Sequence, residues 1–436
     1  MRLEHLRIEK FRCLSRLETG LPAGRILILG NNAQGKSSLL EAVFYLVTGR
    51  SFRTRYDNDC IPWHSPAGTV CAIRGKVRRA SGDSCRLAVT IGPASKSVRV
   101  DDRPLDRLAA LWGQLRAVLF TPDDLQLVKG APGERRRYLD VGLSQISSDF
   151  LFHLQRYNQA LRQRNALLKR PDMDRRQLRE NLAPWESQLA EHGIPIMQAR
   201  ADFITALEPR AARLYERIAS GEAGESGGAP AGDETAGEKA AAPSTASTLS
   251  TPSSASTPST PSTASTLSTP SAAPRPASPT GSAEAEKLRL AYVNTLRLEM
   301  PAPAEEARVR FRDRLSENLE DDLRHGQTSV GPHRDDFNLY LSGKTVRDFG
   351  SQGQVRSCVV ALRLAEVIEM ESRTGEPPLV LLDDLASELD PLRKKRVLSL
   401  LHPQWQTFLT TTRLEDFPGA SSFDAVISLP RIADPA

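Results

Sequence analysis

The sequence predicts an α/β fold in which both ends of the chain build one sheet domain and a helical lobe is inserted between them. Three observations carry this. Short apolar strands alternate with helical stretches near each end, as in Arg25-Ile26-Leu27-Ile28-Leu29 and Leu379-Val380-Leu381-Leu382. Between Gly133 and about Ile218, apolar residues recur at three- and four-residue spacing. Between Ala240 and Ala283, 40 of 44 residues are Ala, Ser, Thr or Pro, too little apolar surface to offset the entropy of ordering. With 436 residues, and about 100–200 per domain, the chain divides into 1–120, 121–325 and 326–436.

The elements follow in order. Leu3, Leu6, Ile8 and Phe11 alternate with charged residues and predict a strand continuing to Cys13. Residues 25–29 read as a buried strand, then a Gly/Asn turn, then a helix from about Lys36 to Val47. Short strands fill 69–100, and QLRAVLF is a further strand ending at Phe120 before the turn Thr121-Pro122-Asp123-Asp124. The helical lobe follows. Residues 220–283 form a low-complexity linker, expected to be disordered, in which TASTLSTPS at 245–253 recurs at 263–271. Helical sequence is expected to resume at Glu284. After His325 come the strand FNLYL, a helix over about 353–372, the strand LVLLD, a helix over 391–401 and the strand TFLTT.

Composition excludes several classes. Lys and Arg number 58 against 53 Asp and Glu, so the net charge of +5 is too mild for a polybasic nucleic-acid coat, though a local basic face is allowed. Five cysteines without a CxxC pair argue against a disulfide framework or a zinc site and fit a reducing cytoplasm. Charges at Arg2, Glu4, Arg7, Glu9, Lys10 and Arg12 break up any signal-peptide core, and no apolar run approaches the ~20 residues of a membrane span.

Chemistry concentrates in three motifs. Gly30-Asn31-Asn32-Ala33-Gln34-Gly35-Lys36-Ser37 fits G-x-x-x-x-G-K-[ST], between a buried strand and a helix. Glycines let backbone N–H groups curl around phosphate oxygens, and the helix N-terminus favours negative charge. Lys36 is the candidate for the β- and γ-phosphates and Ser37 for Mg²⁺. The strand at 379–382 then delivers Asp383 and Asp384 at its tip, where ligands bind in parallel sheets. Asp383 is expected to hold Mg²⁺ through water and Asp384 to orient the attacking water. Third, Ser351-Gln352-Gly353-Gln354 precedes an apolar helix and resembles the signature motif of ABC-type ATPases, which presents a serine hydroxyl, a glycine N–H and a helix N-terminus to a γ-phosphate on another subunit. Ser387-Glu388-Leu389-Asp390 follows the paired carboxylates, and Asp390 joins the candidate nucleotide-binding set.

These motifs occur together with Phe11-Arg12-Cys13-Leu14, Ser51-Phe52-Arg53-Thr54, Glu134-Arg135-Arg136-Arg137-Tyr138-Leu139-Asp140, Gln163-Arg164-Asn165 and Gly331-Pro332-His333-Arg334-Asp335-Asp336. In that combination the chain resembles the bacterial RecF family over nearly its whole length outside 220–283. The resemblance implies a P-loop ATPase head of the ABC/SMC type without the long coiled coil. It implies binding of ATP and DNA, ATP-dependent homodimerisation, and help in loading recombinase at gapped DNA with RecR and RecO, without a membrane partner. Where ABC transporters place a histidine after the last core strand, this chain has Thr410-Thr411-Thr412, which puts a histidine sensor in doubt and suggests slow hydrolysis.

Arg53, Arg55, Arg135, Arg136 and Arg137 are candidates for DNA phosphates, although a run of arginines is also what a solvated helix face looks like. His333 has no second histidine or cysteine beside it, so a supporting role is expected. Two other readings compete. An ABC transporter ATPase subunit is disfavoured by the 315-residue separation of Lys36 from Ser351, and a GTPase by the absence of N-K-x-D.

Overall fold

Strand β3 (Arg25–Leu29) is apolar on both faces and has a C-terminal neighbour on each side. It pairs in parallel with β13 (Thr407–Thr411) and β14 (Ala425–Ser428). Adding β12 (Leu379–Leu382) and β8 (Ala117–Phe120) completes a five-stranded parallel sheet in the order β14-β3-β13-β12-β8. Near-continuous apolar strands are what a sheet covered on both faces requires. The computed structural model describes residues 1–170, 174–219, 286–384, 389–416 and 423–429. The 220–283 insert, and Ser387 and Glu388, lie outside them.

A second, antiparallel sheet comes from the N-terminal part. It contains β1 (Arg2–Phe11), β2 (Leu14–Gly20), β4 (Cys71–Arg78), β5 (Ser84–Gly92), β6 (Ser95–Val100) and the two-residue β7 (Arg103–Pro104), in the order β2-β1-β4-β5-β6-β7. The first strand ends at Phe11 rather than reaching Cys13: Arg12 takes φ +52°, and the chain turns back so that Phe11 pairs with Leu14. Helix Lys36–Thr48 joins its core to that of the parallel sheet, so every residue of it except Ser37 is buried. Buried Gln406 ties the two ends of the chain: it accepts from Leu3 N–H at 2.7 Å and donates to the carbonyls of Leu3 and Pro22.

The larger core gathers the helical segments Pro132–Ile146, Ser148–Leu168 and Arg175–Ala219 against helix Gln352–Thr374. Residues 288–293 correct the expectation of helix. They form β9 (Leu288–Val293), pairing antiparallel with β10 (Asp336–Leu341), whose other neighbour is the two-residue β11 (Lys344–Thr345). The reason is local: Leu288 and Leu290 alternate inward opposite Leu341 and Leu339, a period of two, and helix begins only at Ala304. Fully buried Arg164 links the lobe to 319–336, donating to Asp322 at 2.7 Å, Glu186 at 3.0 Å and Thr328 at 2.9 Å. No described helix is long and apolar enough to cross a membrane.

Candidate nucleotide site

The 30–37 loop leaves the C-terminal end of β3 and enters helix Lys36–Thr48. Gly35 takes φ +94°, and a Cβ there would lie 2.8 Å from Cys13 Sγ and Leu14 Cδ2, so only glycine fits. Gln34 Oε1 accepts from Asn31 N–H at 2.6 Å and holds the loop curled. Lys36 Nζ donates to the carbonyls of Gly30 (2.7 Å) and Asn31 (2.9 Å). Burial holds the Lys36 ammonium below the ordinary lysine value, while Asp384 and Asp383 pull it back up.

The paired carboxylates meet the loop. Ser37 Oγ donates to Asp383 Oδ1 at 3.0 Å, and Thr410 Oγ1 donates to the same oxygen at 2.9 Å. Thr410 Oγ1 also accepts from the Asp384 N–H at 2.8 Å, fixing the turn in which Asp384 adopts φ +49°. Burial raises the Asp383 carboxyl above its usual range, against the hydrogen bonds from Ser37 and Thr410. In the sequence Thr410 stands out only as part of the threonine run where ABC transporters place a histidine. Its adjacency to Asp383 follows from the β12–β13 register, which local sequence does not display.

A second support also escaped the sequence reading. Fully buried Glu41 accepts from both Arg12 Nε (3.1 Å) and Nη2 (2.7 Å), and from Ser51 Oγ. Arg12, Lys36 and Arg53 share a cavity of about 720 Å³ with Asp383, Asp384 and the 59–64 segment. Hard oxygen donors, a cation and a curled backbone make it fit for a triphosphate and a divalent ion such as Mg²⁺.

The signature loop stands elsewhere. Ser351 caps helix Gln352–Thr374, accepting from Gln354 N–H at 3.2 Å while Gln354 Oε1 accepts from Ser351 N–H at 2.8 Å. This reciprocal capping box explains why Ser and Gln are spaced by three. A Cβ at Gly353 would lie 2.6 Å from Arg393 Nη1, and Arg393 pairs with Asp390, the cap of helix Pro391–Leu400. Backbone N–H groups, that of Arg393 foremost, hold the Asp390 carboxyl below its usual range. None of Ser351, Gly353 and Gln354 lines the Lys36 cavity.

The arginine candidates separate. Arg53, Arg55, Arg136 and Arg137 line one groove of about 1170 Å³ together with Arg50 and Lys96. Arg135 does not join them: it is 2% exposed, donates to both carboxylate oxygens of Asp336 (2.6 and 2.8 Å) and to the carbonyls of Leu127 and Gly130. A helix places only some of three consecutive residues outward, and Arg135 faces the core with Tyr138 and Leu139. His333 has a supporting place: half-buried, it contacts Tyr157 Oη at 2.7 Å and the Thr328 carbonyl at 2.8 Å, and desolvation pushes it down to about 4.

A parallel sheet with a phosphate-type loop at the tip of one strand and paired carboxylates at another defines the class, a P-loop α/β head. The family model for the RecF/RecN/SMC N-terminal domain matches residues 2–430. The DNA replication and repair protein RecF of Chloroflexus aurantiacus is 35% identical, over 100% of this chain and 98% of its own. That of Limosilactobacillus fermentum is 33% identical, over 95% and 93%. A solved structure of the recombination mediator protein RecF with ATP, in the RecFOR pathway, superposes with a TM-score of 0.77 at 28% identity, over 98% of this chain and 95% of that one. The chain belongs to the RecF family.

Proposed function

We propose that this protein is an ATP-driven clamp of recombinational repair that closes as a homodimer on DNA. The Gly30–Ser37 loop cradles the triphosphate of ATP, with Lys36 on the β- and γ-phosphates. Ser37 and Asp383 hold Mg²⁺, which on binding neutralises phosphate charge. Asp384, set by Thr410, orients the attacking water. Ser351, Gly353 and Gln354, with Asp390 behind them, complete the site of a second copy. The observation that carries this reading is the split between the two half-sites: a loop–carboxylate cradle already hydrogen-bonded in one chain, and a capped signature serine outside its cavity.

Residues 1–120 and 326–436 act as the head and 121–325 as the lobe. DNA is held through its phosphates at the Arg53, Arg55, Arg136 and Arg137 groove, without base readout. RecR and RecO, partners in the pathway named for the relative, act with it at gapped DNA in the cytoplasm. The test is sedimentation with and without ATP and gapped duplex. Dimers that form only with ATP and bind the duplex support the proposal; an ATP-independent monomer refutes it.

A further inference from the structure

The phosphate loop accounts for one end of a nucleotide and leaves the base without a seat. The same cavity carries a second feature that phosphate binding does not use. Pro62 O accepts from Ser65 N–H at 3.1 Å, closing a four-residue turn with Trp63 and His64 at its tip. The turn is anchored: Cys60 is fully buried, its carbonyl accepts from Arg12 N–H at 2.7 Å, and the Asp59 carbonyl accepts from Arg12 Nη1 at 2.7 Å. Arg12 therefore ties this segment to the Glu41 support behind the phosphate loop.

Trp63 is 88% exposed, although an indole is among the largest apolar surfaces a protein can bury. Trp405 is 4% exposed, and Trp112 and Trp185 are intermediate, so among the four tryptophans Trp63 alone stands open. It does so on the wall of the cavity that holds Lys36 and Ser37. An aromatic face presented in this way recognises another flat π system, and a purine joined to a triphosphate supplies both halves of what the cavity offers.

We propose that Trp63 is the stacking platform for the purine base of the nucleotide, a specificity element separate from the phosphate loop; this rests on the nucleotide reading above. Stacking favours purines over pyrimidines and over a bare polyphosphate, and does not by itself choose between adenine and guanine. Because the turn is already fixed by Arg12 and Cys60, little ordering is lost when the base arrives.

The experiment compares equilibrium binding of ATP and of inorganic tripolyphosphate to the full-length protein, Trp63→Ala and Trp63→Phe. A lost base–aromatic stack weakens ATP binding by about five- to a hundredfold in Trp63→Ala, with tripolyphosphate affinity unchanged and Trp63→Phe recovering most of the loss. ATP also quenches the emission of the exposed indole in the parent protein and not in Trp63→Phe. Undiminished ATP affinity in Trp63→Ala overturns the proposal while leaving the nucleotide reading intact. An equal loss for ATP and tripolyphosphate overturns it too, since Trp63 would then act on the loop and not on the base. A parent protein that binds neither probe refutes the nucleotide reading itself.

Discussion

Ser37 and Asp383 stand 346 positions apart in sequence, yet the Ser37 hydroxyl donates to the Asp383 carboxylate at 3.0 Å. The contact exists because β13 lies between β3 and β12 and holds both in parallel register. A phosphate loop and a carboxylate, each weak as a site alone, become one cradle through the strand between them.

Lys36 supplies the cradle's ammonium, which burial holds below the ordinary lysine value. Lys36→Ala abolishes tight binding of a fluorescent ATP analogue, because no other side chain of the loop carries a cation. Near-normal affinity would mean the loop is misassigned.

Mixing two inactive variants tests the split between half-sites. Lys36→Ala loses nucleotide binding, while Ser351→Arg binds ATP and fails at closure. A mixed dimer has one doubly damaged site and one intact site, so ATPase activity returns to roughly half that of the parent dimer if the sites act independently. Cross-linking of tagged subunits counts the mixed dimers; abundant mixed dimers with neither hydrolysis nor closure refute the trans arrangement.

Thr410 serves both carboxylate residues at once. Thr410→Val keeps the shape and leaves the Asp384 N–H without its acceptor, at a cost of about 1–3 kcal/mol. The urea midpoint falls, Mg²⁺-dependent ATP retention weakens, and Thr410→Ser restores both. A variant with the parent's midpoint and Mg²⁺ response would show that the contact carries nothing.

His333 and Glu366 titrate in opposition. Burial lowers His333 to about 4. Its contribution to stability is therefore complete above the unfolded value near 6.5 and lost as pH falls through 4. Burial raises Glu366 to about 7 against the pull of the Arg363 guanidinium, and the Asp124 carboxylate adds to the rise. Its contribution is complete below the unfolded value near 4.5 and lost as pH rises through 7. Each is worth about 3 kcal/mol over its window, so they nearly cancel between pH 7 and 4.5. His333→Gln gains stability on acidification across this range and Glu366→Gln loses it, read from urea midpoints against pH. Parallel profiles for the two variants would contradict the assignment.

Arg135 and Arg137, two positions apart, separate fold from DNA. Arg135→Met strands the Asp336 carboxylate and costs about 2–3 kcal/mol. Arg137→Ala changes stability by less than about 0.5 kcal/mol, since its side chain is exposed. It lowers the salt slope of DNA binding by about one. An unchanged slope would remove Arg137 from the interface.

What was legible in the sequence was local. The 30–37 loop, the 379–384 strand with its carboxylates and the 351–354 cap are contiguous runs whose chemistry is set by neighbours within a few residues. What was not legible depended on register or facing. Thr410 gains its meaning from lying beside Asp383 across two strands. Arg135 reads like Arg137 until the helix turns one inward. Strand β9 resumes after the long insert, where Glu284 and the residues following it look like the start of a helix, and its true partner is β10, some 45 residues further on. Arg164 and His333 belong to motifs that mark the family, and the structure spends both on holding the lobe together.

The strand that carries the phosphate loop has a cost at the ribosome. Both neighbours of β3 lie in the last 30 residues of the chain, at 407–411 and 425–428, and the Gln406 contacts to Leu3 and Pro22 come just as late. During synthesis the 30–37 loop is made long before 407–411 and 425–428, so its strand waits unpartnered in between. A copy lacking 407–429 therefore keeps every residue of the 30–37 loop while β3 loses the strand on each side and Asp383 loses its Thr410 donor.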